Sequence, residues 1–369
     1  MPAPPIENLT HDITLPEARE LAERLLPDRI TNRTAWATDI VGALDTLQLP
    51  STPDYLCATM AVIGQESGFQ VDPAVPGLPQ KARDEIEKRR VKYNIPKVLL
   101  DAALAMSSPT GRTYKERIDK VRTERELSAI YEDFILRVPL GERLFGHLNP
   151  VRTLGAMQIS IDFITTHVRQ NPDAVPKDSN LRAIGFSRRG SIYFGAAHLL
   201  DYAAPYDEPI YRFADYNAGR YASRNAALQN AITRLSGIRL ALDGVLLLHD
   251  DHGNVTGDTL RASVSLGPLL GLNQAQIVRD LQLNRSADLE QSEFYRRAYK
   301  LADEHAGKPL PRAMLPQIKL TGPKIQRNYL TTTWFAQRVA TRYRACLARS
   351  GAETLEARKQ ADKTFMAGW

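Results

Sequence analysis

The chain has 369 residues, of which 43% are hydrophobic and 24% charged, and a formal net charge of +6. That composition suits an ordinary soluble globular protein with room for two domains, and no apolar run approaches the roughly 20 residues needed to span a bilayer. The positive balance favours anionic partners in general, but the charge is spread along the chain and no basic tail is present.

Most of the sequence reads as helix punctuated by proline and glycine. A first helix is predicted over about residues 16–27 and a second over 33–48. The third starts at Thr52, a plausible N-cap, with Pro53 at the first helical position and Asp54 complementing the positive end of the dipole. It carries Cys57 and runs through Met60, Val62 and Ile63 to Glu66, where Ser67-Gly68 stops it. Apolar residues on most sides mark it as buried. The two cysteines, Cys57 and Cys346, are too far apart for a CxxC or metal spacing. A long-range disulfide stays open, and packing is the expected role of Cys57. No basic-then-apolar leader opens the chain, which carries little weight about location.

From about 72 to 150 charged helices follow, at about 80–92, 96–106 and 112–137, with Thr123 and Glu126 forming a capping box. Their charges read as a solvated face. Gly155 is expected to open a helix bearing Met157, Ile161, Ile164 and Val168. Ser191 is expected to cap a helix over 192–203. Pro209 starts another that ends at Tyr216-Asn217-Ala218-Gly219, with Gly219 in the αL conformation, and a further helix covers 222–235. Residues 245–254 read as a short strand and turn, the makings of a hairpin. His249-Asp250-Asp251-His252 within it reads as a polar turn, since adjacent residues in a tight turn rarely converge on one ion. Helices follow at about 273–283, 287–306 and 332–349.

Glu66 is the first candidate for chemistry. A free glutamic acid has a pKa of about 4.3 and is ionised at neutral pH. Apolar neighbours and the negative end of a helix both favour the protonated form, which is what a general acid needs. Gly155-Ala156-Met157-Gln158 offers close backbone approach, an adaptable apolar wall and an amide able to bond sugar hydroxyls. Tyr216 and Asn217 offer a hydroxyl and a second amide. Each motif taken alone is weak.

In this order, Glu66-Ser67-Gly68-Phe69, then Gly155-Ala-Met157-Gln158, then Tyr216-Asn217-Ala-Gly219 resemble the lytic transglycosylases of the goose-type lysozyme superfamily. Thr153-Leu-Gly-Ala-Met-Gln-Ile-Ser160 and Gly195-Ala-Ala-His-Leu-Leu200 resemble the segments around those motifs. The likeness covers about residues 50–235, and the whole chain is similar to envelope lipoproteins of Gram-negative bacteria. It implies a mainly α, lysozyme-like fold: an N-terminal helical segment over 1–50, a catalytic domain over 51–240 with a large helical insertion at 72–150, and a mostly helical extension over 241–369 with a short hairpin. It implies cleavage of the MurNAc–GlcNAc β-1,4 bond of peptidoglycan with formation of 1,6-anhydro-MurNAc. Glu66 would be the sole catalytic carboxylate. Ser67, Met157, Gln158, Tyr216 and Asn217 would line or support the cleft. No metal and no cofactor are expected. The implied setting is the periplasm, with a monomer acting on glycan strands and a lipid anchor to the outer membrane as an option; nucleic acid is not expected as a partner.

Two departures stand out. Glu66 and Gly155 lie 89 positions apart, farther than is usual in that family, and Ala156 replaces a larger apolar residue. Two other readings compete. A hydrolysing muramidase would need a second carboxylate, for which Asp162 and Asp215 are candidates. A non-catalytic peptidoglycan-binding or scaffold protein would keep the fold without the reaction. His167 and His147 near the second motif are given no role.

Overall fold

The computed structural model describes residues 13–137, 148–320 and 330–350 and is mainly helical. His147 and both chain ends lie outside the described residues. The chain divides into two compact units, one of residues 1–52 with 63–196 and one of 53–62 with 197–369.

In the first unit, α1 (Leu15–Leu25) starts with a capping box of Thr14 and Glu17 and packs on α2 (Arg33–Thr46). The predicted third helix is α3 (Pro53–Glu66), with the proline at its start. Its last four residues belong to this unit, and the preceding ten to the other.

The charged segment forms α4 (Leu78–Lys92), α5 (Lys97–Ala105), α6 (Tyr114–Lys120) and α7 (Glu124–Ile135). The single helix expected over 112–137 is therefore two. Thr123 takes an extended conformation and caps α7 with Glu126 as a capping box, which ends any continuation from α6. The segment has its own small core of Leu78, Ala82, Tyr114, Ile118, Val121 and Ile130.

The helix expected to open at Gly155 is not there. Thr153–Leu154 (β1) pairs antiparallel with Ile159–Ser160 (β2), and residues 155–158 are the loop of a hairpin. The helix begins only afterwards, as α8 (Ile161–Gln170), with the Ser160 hydroxyl accepting from the N–H groups of Asp162 and Phe163. Then follow α9 (Leu181–Phe186) and α10 (Arg188–Leu200). Ser191 does not cap α10; Ser187 does, its Oγ accepting from Gly190 N–H at 3.0 Å. Ser191 sits inside the helix, one turn beyond that cap.

In the second unit, α11 (Pro209–Ala218) and α12 (Ala222–Ser236) flank the Tyr-Asn-Ala-Gly turn. Leu248–His249 (β3) and Val255–Thr256 (β4) make the second hairpin. Two helices that the sequence did not announce follow, α13 (Asp258–Ser265) and α14 (Gly267–Leu270). After them come α15 (Gln274–Leu281), α16 (Glu293–Ala306) and α17 (Thr332–Leu347). One core joins Leu228 and Ile232 of α12 to Leu260, Ile277, Leu281 and Phe294.

Cys57 and Cys346 form a disulfide between α3 and α17. Of the two roles left open for Cys57, packing is the expected one and the disulfide is what the structure shows: the two helices bring cysteines 289 positions apart in sequence to a Cα separation of 5.5 Å, the normal spacing for a bridge. One turn earlier on each helix, the Tyr343 hydroxyl donates to Asp54 Oδ1 at 2.7 Å. Replacing Cys346 by serine, or reducing the bond, is expected to cost about 2–5 kcal/mol. The check is the melting temperature with and without reductant, which should coincide in Cys346→Ser and differ in the wild type.

Candidate functional site

Glu66 is the final residue of α3 and is half-buried. Behind it the helix closes through Ser67, whose N–H and hydroxyl both donate to Ile63 O, at 3.0 and 3.2 Å. The chain then reverses over two residues at positive φ, Gly68 at 60° and Phe69 at 66°. Glycine takes that conformation freely, but a phenylalanine there costs about 1–2 kcal/mol. Packing offsets it: the Phe69 ring meets Trp36 edge-on with centroids 5.3 Å apart, a favourable aromatic geometry.

The Gly155–Gln158 loop lies in the same unit as Glu66. Gly155 has φ 66°, and a Cβ there would meet Gly185 O and stand 2.6 Å from Ser191 Cβ. Ser191 earns its place inside α10 by this contact, its Oγ accepting from Met157 N–H at 2.9 Å. Met157 is fully buried. It lies over Gly195, where an added Cβ would meet Met157 Sδ and come within 2.7 Å of Met157 Cβ. It thus supports the loop from behind and presents no accessible surface of its own. Gln158, at φ 52°, binds its own hairpin: Oε1 accepts from Thr153 Oγ1 at 2.9 Å and Nε2 donates to Gly155 O at 3.0 Å.

Tyr216 and Asn217 belong to the second unit, at the end of α11. Tyr216 is buried and Asn217 exposed. Gly219 departs from the expected αL conformation, with φ 106° and ψ 146°, and the left-handed residue is instead Tyr221 at φ 67°. The Asn217 Oδ1 accepts from Thr332 Oγ1 at the start of α17, at 2.7 Å.

Asp215 shapes this turn. It is buried and accepts from Tyr202 Oη at 3.1 Å, Tyr206 Oη at 2.7 Å, Tyr221 N–H at 2.8 Å and Ser223 N–H at 2.7 Å. Burial raises its pKa against the opposing pull of those donors. Burial and the adjacent carboxylate also push both phenols up. Asp215 is therefore a structural anchor and not an exposed second acid. The other candidate, Asp162, is exposed and paired with Arg152 at 2.7 Å.

His198 enters the sequence reading only as part of the Gly195–Leu200 segment and is not singled out there. Its Nε2 lies 3.3 Å from Tyr216 O, and its ring 5.1 Å from the Tyr216 ring. A carbonyl only accepts, so Nε2 carries the proton. Burial first, and then the charge of Arg220, lower its pKa to about 3. Arg220 also grips the end of α10 by donating to the carbonyls of Ala197 and His198. His198 is thus a neutral brace behind Tyr216. Its signal in the sequence was its helical phase among apolar residues.

The first two motifs end on a side-chain-bearing residue at positive φ, and one stands two positions beyond the third. Among the described residues seven non-glycines have positive φ, and three are Asn32, Asn94 and Asp178, types that tolerate it. Of the other four, Phe69 and Gln158 close their motifs, Tyr221 follows the third by two positions, and Gln48 lies elsewhere. Held strain of this kind gathers at functional sites. Two further features lie apart from the motifs. Asp250 closes its turn by accepting from the N–H groups of His252 and Asn254. A cleft within the second unit is lined by Asp54, Tyr55, Ala58, Arg212, Phe213 and Tyr343.

Residues 29–349 match a family described as "protein of unknown function (DUF1615)". The chain is 46% identical over 331 residues, 90% of each chain, to a protein of Escherichia coli (strain K12) described as "Uncharacterized protein YaiW". No solved structure matches it.

Two outcomes are expected. Gly155→Ala should lose about 2–4 kcal/mol of stability, from the forced φ and the blocked Cβ together, read as a fall in urea midpoint. For His198 the folded pKa of about 3 lies below the unfolded 6.5. A depressed pKa contributes stability that is complete above pH 6.5 and is lost as the pH falls toward 3. Unfolding free energy should therefore drop more steeply across that window in the wild type than in His198→Gln.

Proposed function

The chain belongs to the DUF1615 family, and we propose that it is a peptidoglycan lytic transglycosylase built on a lysozyme-like scaffold. Glu66 donates its proton to the oxygen of the MurNAc–GlcNAc β-1,4 bond as that bond breaks. The resulting carboxylate then takes the proton of the muramic C6 hydroxyl, whose oxygen closes on the anomeric carbon to give 1,6-anhydro-MurNAc. Glu66 ends the cycle protonated, as it began, and no water enters the product. A single acid is enough for this sequence, whereas a hydrolase of the usual kind needs a second carboxylate.

One observation carries the reading: the positive-φ residues that close the Glu66 and Gln158 motifs and follow the Tyr216 motif. A strained Phe69 follows the glutamate, and a strained Gln158 closes its hairpin. Asp215 and Asp162 are both engaged elsewhere, which suits the one-acid route. The Cys57–Cys346 disulfide suits an oxidising compartment, in keeping with action on glycan strands in the periplasm of a Gram-negative cell, as a monomer and with a lipid anchor to the outer membrane. A second reading, a glycan-binding protein without catalysis, draws on the Gln158 amide, whose two ends both serve its own hairpin.

The experiment is digestion of purified sacculi with product analysis by mass spectrometry. Wild type should release anhydro-muropeptides, and Glu66→Gln should lower the rate by about 10²–10⁴ while leaving sacculus binding in place. Reducing ends in place of anhydro ends would assign a hydrolase. Sacculus binding with no release by the wild type would assign the binding protein.

A further inference from the structure

The tip of the α4–α5 hairpin breaks the usual rule for apolar side chains. Every residue from Val91 to Leu99 is exposed, including Val91, Tyr93, Ile95, Val98 and Leu99. Val98 is 78% and Leu99 62% accessible. Seven of the nine residues of α5 are apolar, yet none is buried. Leu104 packs against the small core of α4, α6 and α7, and Leu100 is half-buried. Val98, Leu99, Ala102, Ala105 and Met106 are turned outward. A helix that is apolar all round is normally buried, and a contiguous exposed apolar surface marks something that covers it.

Charge identifies the cover. Between residues 88 and 100 the chain has five cations, Lys88, Arg89, Arg90, Lys92 and Lys97, and no carboxylate. Their acidic neighbours sit lower on the hairpin: Glu85 pairs with Arg89, Glu87 with Arg90 and Asp101 with Lys97. Lys88 and Lys92 are exposed, and Lys92 lies 5.4 Å from the Tyr93 ring centroid. Apolar side chains at the tip, a tyrosine among them and lysines around them are what a lipid interface accepts. The hydrocarbon side chains enter the acyl boundary, the phenol stays at headgroup level, and the long cationic side chains reach anionic phosphates. A protein groove would cover the apolar face equally well but would gain little from a ring of lysines. We propose that the α4–α5 tip is a membrane-contact surface that seats on an anionic lipid bilayer, independently of what Glu66 does.

The test is co-sedimentation of the full chain with phosphatidylcholine vesicles, with and without phosphatidylglycerol. Binding is expected to the anionic vesicles and to fall with added salt. Val98→Asp combined with Leu99→Asp should weaken it at least about tenfold, because two buried aliphatic side chains are lost. Lys88→Gln combined with Lys92→Gln should weaken it by more than about tenfold, at roughly fivefold for each charge removed. All four positions are exposed, so unchanged melting temperatures are expected and separate lost binding from lost folding. Equal binding to both vesicle types, or full binding by the aspartate variant, would overturn the proposal. So would a wild type that ignores vesicles but forms a dimer, seen by light scattering, that the aspartate variant abolishes, since the cover would then be a second copy of the chain.

Discussion

The second unit is organised around one buried carboxylate. Asp215 satisfies two tyrosine hydroxyls and two backbone N–H groups, drawn from the loop after α10, the turn after α11 and the start of α12. The network extends past it. The Tyr206 oxygen that donates to Asp215 also accepts from Arg224 N–H at 3.2 Å. The Arg224 guanidinium is fully buried and donates to Ser286 O at 2.7 Å and Asn284 O at 2.8 Å. It also stacks over the ring of Tyr221 at 4.3 Å. A buried cation is tolerable only with partners of this kind. The order of the Tyr-Asn-Ala-Gly turn therefore rests on residues more than 60 positions downstream, and hydrogen bonds in such a chain reinforce one another.

Each unit handles backbone strain in the same way. Phe69 is held at positive φ by Trp36, Gln158 by both ends of its amide, and Tyr221 by Asp215 and Arg224. For Phe69 the partner is a side chain from another helix, for Tyr221 side chains of α11 and α12, and for Gln158 the Thr153 side chain of β1 together with the Gly155 carbonyl of its own loop. A glycine in these places would lower the local cost but would forfeit the contact that fixes the loop.

Much of this was legible in the sequence. The bounds of α3 and α11 follow from prolines at their starts and from Ser-Gly or glycine after them, and the end of α12 from Gly237, because those residues act locally. The Thr123–Glu126 cap was readable for the same reason. The hairpin at 153–160 was not. Its strands have two residues each, too few for a period-2 pattern, and Gly155 reads as a helix start until Gly185 and Ser191 are seen against it. The disulfide depends on the meeting of α3 and α17, which no spacing encodes. Of the candidate site, Glu66 was visible as a helix end, but the burial of Met157 and the commitment of Asp215 required tertiary structure. The segment of α5 reads in the sequence as one of several charged helices, and only the structure shows that its exposed face is largely apolar.

The disulfide also sets an order of events. Cys57 leaves the ribosome long before Cys346, and the bond cannot close until α17 exists. Until residue 346 has been added, α3 therefore lacks the covalent link at its N-terminal half. A chain truncated between residues 219 and 346 would carry every one of the three motifs and still lack that fastening.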